Sequence, residues 1–228
     1  MKAMILAAGR GERMRPLTNN TPKPLLKARG KYLIQYHIEA LATAGFKELV
    51  INHAYLGNQI ESTIGNGERF GVTITYSPEG EPLGTAGGIK RALPLLGLDP
   101  YVVINGDIWS DFPRSTLKVQ LPKNILAHLV LVANPKHNPA GDFTLQNTKV
   151  ANNGAGQKLT FSGIGIYHPR LFIDAPTDTF SLAPLLRKAC DRGQITGQYY
   201  AGRWLDVGTP QRLQELEKIL ESLVTAGS

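Results

Sequence analysis

Two sets of side chains in this 228-residue chain could do chemistry together. The first is a run of cations and glycines near the N-terminus. It reads Leu6-Ala-Ala-Gly-Arg-Gly-Glu-Arg-Met-Arg-Pro-Leu-Thr18, followed by Thr21-Pro-Lys-Pro-Leu25. Gly9 and Gly11 let backbone N–H groups approach phosphate oxygens closely. Arg13 can grip a phosphate through its planar fork. Pro22 and Pro24 restrict the backbone on either side of Lys23, so its ammonium is presented from a stiff segment. The second set is a pair of carboxylates. Asp107 follows the apolar run Tyr101 to Asn105, and Asp206 follows Trp204-Leu205. An unpaired carboxylate is costly in such surroundings. Each could simply cap a turn, as Asp near Gly commonly does. Taken together beside a polyphosphate site, they suit Mg²⁺, which is held by one or two carboxylates plus substrate phosphates.

The charge distribution points the same way. The formal net charge is +7. Residues 1–31 carry eight basic side chains and one acid, Glu12, so the whole excess lies in this segment. A dense positive site attracts a polyanion. Nucleic-acid binders spread bases over a broad face and add aromatics for stacking. Between Lys2 and Lys31 there is no aromatic residue. A small polyphosphate is therefore expected, and no nucleic acid.

Other chemistries find little support. The spacing of a P-loop is absent, and the dinucleotide fingerprint would need glycine where Met14 stands. The kinase signature set is absent as well. The five histidines, His37, His53, His128, His137 and His168, show no metal-ligand spacing and read as structural. The single cysteine, Cys190, falls on an amphipathic segment and reads as a buried small hydrophobe. It excludes an internal disulfide and a Cys-rich zinc site. No segment is apolar for long enough to be a signal-peptide core or a membrane span, so a cytoplasmic location and no membrane partner are expected.

These residues must be positioned by a scaffold, and the hydrophobic pattern supplies one. Met1 to Ala8, Glu48 to Ala54 and Tyr101 to Asn105 are short apolar runs that predict strands buried on both faces. Ile34, Ile38, Leu41 and Ala42 recur at helical spacing before Gly45. Helices are predicted over 57–64 and 86–96, and a strand over 72–77. Gly9 to about Lys31 reads as a long loop. In the second half, 127–134, 142–145 and 159–167 read as strands, 181–190 as a helix and 204–207 as short and extended. Thr209 is an N-cap with Pro210 at the first helical position. Leu213, Leu216, Leu220 and Leu223 then mark a final amphipathic helix, able to pack on its own domain or on a partner. No repeat, heptad or low-complexity linker divides the chain. One domain over 1–228 is expected, of the α/β class, with a Rossmann-like, mixed and mostly parallel sheet flanked by helices.

The segment from Leu6 to Leu25 resembles the signature loop of the sugar-1-phosphate nucleotidyltransferases, the NDP-sugar pyrophosphorylases. The likeness extends along nearly the whole chain through Leu83-Gly-Thr-Ala-Gly-Gly88, Asn105-Gly-Asp107, Phe161-Ser-Gly-Ile-Gly165 and Trp204-Leu-Asp-Val-Gly-Thr-Pro210. The resemblance implies a Mg²⁺-dependent reaction of a sugar 1-phosphate with a nucleoside triphosphate, giving an NDP-sugar and pyrophosphate. It implies that Asp107 and Asp206 hold the metal. Ala8, Gly9, Gly11, Glu12, Arg13 and Lys23 would hold the nucleotide's phosphates, and Gly84 and Thr85 would contact its base. Asn105, Gly141, Asp142 and Ser162 map near the sugar, with a plain turn as the alternative for Asp142. On this reading the metal bridges the incoming phosphate and the α-phosphate, while Arg13 and Lys23 neutralise charge. The attacking phosphate has a second pKa of about 6, so no general base is required.

Among the subgroups, the short form resembles the N-acetylmuramate 1-phosphate uridylyltransferases of cell-wall (peptidoglycan) recycling, with room for no C-terminal β-helix or acyltransferase domain. Glucose- or mannose-1-phosphate enzymes using UTP, dTTP or GTP are the alternative. A catalytically silent subunit that binds NDP-sugar would be free to lose Arg13, Lys23, Asp107 or Asp206, and all four are present. A monomer or a small homo-oligomer is expected.

Overall fold

The computed structural model describes residues 1–118, 120–176 and 178–226. In chain order the strands and helices begin with β1 (Ala3–Leu6), the two-residue strands β2 (Lys27–Ala28) and β3 (Lys31–Tyr32), and α1 (Leu33–Thr43). There follow β4 (Glu48–His53), α2 (Gly57–Ile64), β5 (Thr73–Pro78), α3 (Gly84–Leu96), β6 (Tyr101–Asn105) and β7 (Ile108–Ser110). The second half holds β8 (Ala127–Val132), β9 (Phe143–Gln146), β10 (Lys149–Ala151), β11 (Lys158–Tyr167), α4 (Leu182–Asp191), β12 (Ile195–Tyr200), β13 (Trp204–Asp206) and α5 (Pro210–Ala226).

Nine strands form one mixed sheet in the order β5-β4-β1-β6-β11-β8-β12-β10-β9. The first four are parallel to one another. Beyond β6 the neighbours run antiparallel, apart from the parallel pair β8 and β12. The sequence separates the two halves: strand–helix alternation gives parallel crossovers, and the turn-rich second half gives antiparallel returns.

Side chains alternate across the sheet. Ala3, Ile5, Leu49, Ile51, Val102 and Ile104 enter one core with α1 and α2. Met4, Val50, Tyr101 and Val103 enter the other with α3 and α4. Both faces are therefore covered, as the apolar runs require. A third core lies under α5, where Leu216 and Leu220 pack on Met14, Leu33, Trp109 and Leu205. Each such fully buried side chain contributes about 1.5–3 kcal/mol. Leu223 departs from the expected stripe and is exposed. Among the described residues, no helix is long and apolar enough to cross a membrane.

The topology decides where a ligand can bind. From β1 the chain moves outward through β4 to β5, then returns over the opposite face through α3 to β6, on β1's other side. The crossover direction thus switches between β1 and β6. The carboxyl ends of strands at such a switch leave a crevice between diverging loops.

Candidate active site

A cleft of about 770 Å³ occupies that crevice. Its walls are residues 6–14, Lys23 and Pro24, Asn52, residues 81–82 and 84–85, Asn105 to Asp107, and Gly208. The long loop of the sequence reading is more ordered than expected. It contains two 3-10 turns, Glu12–Met14 and Lys23–Leu25, and ends in the hairpin of β2 and β3. Gly11 has a φ of +66°. A Cβ there would stand 3.0 Å from Thr18 and 3.2 Å from Lys23 Cβ, so the loop closes onto Lys23 only because Gly11 has no side chain. Thr18 Oγ1 fastens the closure by donating to the Gly11 carbonyl at 2.8 Å. Met14 anchors the loop beneath α5.

Lys23 is held in place as the flanking prolines suggest. It is buried, and its Nζ donates to Asp107 Oδ2 at 2.9 Å. Asp107 lies directly after β6 at the mouth of the crevice, with its side chain partly open. Asp206 is brought beside Asp107 in backbone register by the two-stranded ribbon of β7 and β13, behind Gly208 and not itself among the cleft's walls. In that ribbon Asp206 pairs with Ile108, and Val207 N donates to the Asp107 carbonyl at 2.7 Å. Two aspartates nearly 100 residues apart are thereby made neighbours by backbone hydrogen bonds.

The donor set suits a hard divalent cation. Asp206 Oδ1 is buried and accepts no hydrogen bond from the described residues. Such an oxygen asks for a partner. With Asp107 and the oxygens of a substrate phosphate it would supply the ligand type that Mg²⁺ prefers.

The remaining predicted residues divide. Ala8, Gly9, Gly11, Glu12 and Arg13 line the cleft on the loop after β1, Gly84 and Thr85 line it at the start of α3, and Asn105 lines it at the end of β6. Gly141, Asp142 and Ser162 are not among its walls. Asp142 accepts from Phe161 N at 2.8 Å and from Asn138 Nδ2 at 3.2 Å, so both carboxylate oxygens fasten a turn. Ser162 is buried, and its Oγ donates to the Val130 carbonyl at 2.7 Å and accepts from Ile164 N at 3.2 Å. Its hydroxyl is spent on a break in the register between β8 and β11.

Four residues at or beside the cleft escape the sequence reading. Asn52 Oδ1 accepts from Ala7 N at 3.0 Å, and its Nδ2 donates to Glu79 Oε1 at 2.6 Å. Glu79 Oε2 in turn accepts from Leu83 N at 2.9 Å. This buried relay ties the phosphate loop to the segment entering α3. Arg212 Nη1 lies 2.8 Å from Asp206 Oδ2, and His137 Nε2 lies 3.3 Å from the same oxygen. The Thr209 cap placed Arg212 within reach in principle. His137 carried no signal, because its loop is brought across by the fold.

The chain is 52% identical to the N-acetylmuramate alpha-1-phosphate uridylyltransferase of Neisseria meningitidis, over 96% of this chain and 98% of the relative. It is 34% identical to the enzyme of the same name from Caulobacter vibrioides, over 92% of each. The inositol-1-phosphate CTP transferase from T. maritima shares the fold, with a TM-score of 0.77 at 17% identity over 95% of this chain and 94% of that one. The family model described as nucleotidyl transferase matches residues 2–145, which span the phosphate loop, the start of α3 and Asp107. The chain belongs to the nucleotidyl transferase family.

Proposed function

We propose that the chain joins N-acetylmuramic acid 1-phosphate to UTP, releasing pyrophosphate and UDP-N-acetylmuramic acid for cell-wall recycling in the cytoplasm. The observation that carries the reaction class is the Lys23–Asp107 pair at the switch between β1 and β6, with Asp206 set beside Asp107 by the ribbon of β7 and β13. The choice of sugar and base follows the relative that matches at 52% identity along almost its full length.

The chemistry needs two anions to meet. The attacking phosphate oxygen is ionised near neutrality and asks for no proton acceptor. The chain's task is positioning and charge compensation. Arg13 and the backbone of Gly9 to Glu12 hold the nucleotide's β- and γ-phosphates, which depart as pyrophosphate. Lys23 faces the reacting phosphate from its stiff turn. Gly84 and Thr85 frame the base, and Asn105 stands toward the sugar. Asp107 and Asp206 would hold Mg²⁺, which would supply Lewis-acid neutralisation of the phosphoryl oxygens.

The test is pyrophosphate release with UTP, GTP, dTTP and CTP against N-acetylmuramic acid, glucose and mannose 1-phosphates. The expected outcome is turnover with N-acetylmuramic acid 1-phosphate and UTP at least tenfold above every other pair. Faster reaction of glucose or mannose 1-phosphate would replace the sugar assignment. Binding of UDP-sugar without any pyrophosphate release would make the chain a silent subunit.

A further inference from the structure

Asp206 is tied to a cation that neither composition nor motif singled out. Arg212 Nη1 stands 2.8 Å from Asp206 Oδ2, and the two side chains keep only 16% and 20% of their exposure, so water screens the pair weakly. The first turn of α5 fixes the arginine. Thr209 Oγ1 accepts from Arg212 N at 3.3 Å and caps the helix, whose side chains lean back toward its N-terminus. His137 Nε2 supports the arrangement at 3.3 Å from Asp206 Oδ2 and 3.4 Å from Arg212 Nη1.

The other guanidinium nitrogen looks elsewhere. Gly208 leaves an opening where a Cβ would lie 3.2 Å from Arg212 Nη2, 3.2 Å from Arg13 Nη2 and 2.8 Å from Asp206 Oδ1. One small space is thus bordered by two guanidiniums and by the carboxylate oxygen that lacks a partner. Gly208 itself lines the cleft. Arg212 therefore has one nitrogen on the carboxylate and one beside Arg13 at the edge of the phosphate site.

We infer that Arg212 is a positioning residue that makes divalent-cation binding at Asp206 contingent on the nucleotide. Within the chain itself Lys23 compensates Asp107 and Arg212 compensates Asp206, so the two carboxylates present no net charge to a free cation. A bound triphosphate supplies the missing negative charge and gives Arg13 and Arg212 Nη2 an acceptor. Because binding couplings are reciprocal, the cation tightens the nucleotide by the same factor. This inference rests on the reading of Asp206 as a cation ligand.

The test uses Mn²⁺ as probe, followed by electron paramagnetic resonance on nucleotide-free protein, and calorimetric binding of UTP in EDTA. Replacing Arg212→Gln is expected to tighten Mn²⁺ by at least about tenfold, the effect of removing one facing charge at this range. The same variant is expected to weaken UTP by about tenfold, and Arg212→Lys is expected to bring both values back toward those of the unaltered protein. Arg212→Met, which keeps the aliphatic stem, serves if the glutamine variant does not fold. Unchanged or weaker Mn²⁺ binding in Arg212→Gln, while Asp206→Asn still weakens Mn²⁺, overturns the inference and leaves the site reading intact. Mn²⁺ binding as tight in the Asp206→Asn, Arg212→Gln double variant as in Arg212→Gln alone overturns the placement of the cation at Asp206.

Discussion

Lys23 Nζ and Asp107 Oδ2 lie 2.9 Å apart although 84 positions separate them in the chain. The lysine comes from a proline-bracketed turn after β1, and the aspartate from the end of β6. Neighbouring parallel strands bring the two loops together, so the pair is a direct product of the sheet order. Changing Lys23→Ala should lower turnover by on the order of 10²-fold or more, the typical loss of a charged group facing a developing anion. Stability should fall by only about 1 kcal/mol, because the Asp107 side chain is partly open to solvent. Steady-state pyrophosphate release and a thermal melt on the same preparation check both halves. Near-normal turnover would remove Lys23 from the reaction.

Gly208 offers a test of the space between the two arginines and Asp206. Its missing side chain is what keeps that space open. Gly208→Ala should lower turnover by roughly tenfold to a hundredfold through small displacements of charged groups. The melting temperature should stay within a few degrees of the parent, and unchanged turnover would show that the space is not used.

The relay through Asn52 predicts a different signature. Asn52→Ala leaves Ala7 N–H and Glu79 Oε1 without their partner. A buried polar group left unpaired costs about 1–3 kcal/mol. The melting temperature should drop by about 2–12 °C, at roughly 2–4 °C per kcal/mol for a chain of this size. A variant as stable as the parent would mean that water or a side-chain shift satisfies both groups.

Much of this was legible in the residues, and the exceptions have a common cause. The strands β1, β4 and β6 follow from unbroken apolar runs, because burial on both faces needs no alternation. The Thr209 cap and the helix after it follow from local hydrogen-bond chemistry. Arg13, Lys23 and Asp107 stood out because glycines, prolines and an apolar strand mark where they sit. Asn52, Glu79 and His137 did not. Asn52 bonds Glu79 27 residues away and Ala7 45 residues away, His137 meets Asp206 69 residues away, and nothing in their own neighbourhoods shows it. Asp142 was ambiguous for the opposite reason, since a turn aspartate and a ligand-facing aspartate read alike until the acceptor bonds are seen. The antiparallel second half of the sheet also depends on distant pairing, which short alternating runs do not specify.

A buried histidine gives the fold an acid dependence. His37 is fully enclosed in α1, and burial, reinforced by Arg114, pushes its imidazole down to about 3. Partial burial lowers His128 in the same direction. His37 stays neutral in the folded chain while the unfolded chain takes up a proton near pH 6.5. Its contribution is therefore complete above about pH 6.5 and is lost progressively as pH falls from there toward 3. Denaturant midpoints between pH 7.5 and 4.5 should decline, and His37→Gln should flatten the slope. A midpoint independent of pH over that range would contradict the buried neutral state.

The central claim is that the carboxylates of Asp107 and Asp206, joined by the ribbon of β7 and β13, hold one divalent cation at the reacting phosphate. The direct measurement is pyrophosphate release by Asp107→Asn and Asp206→Asn across a Mg²⁺ titration, with UTP and N-acetylmuramic acid 1-phosphate. The account predicts that each variant loses on the order of 10²-fold or more in turnover at low Mg²⁺. Either variant turning over like the parent at every Mg²⁺ concentration would contradict it.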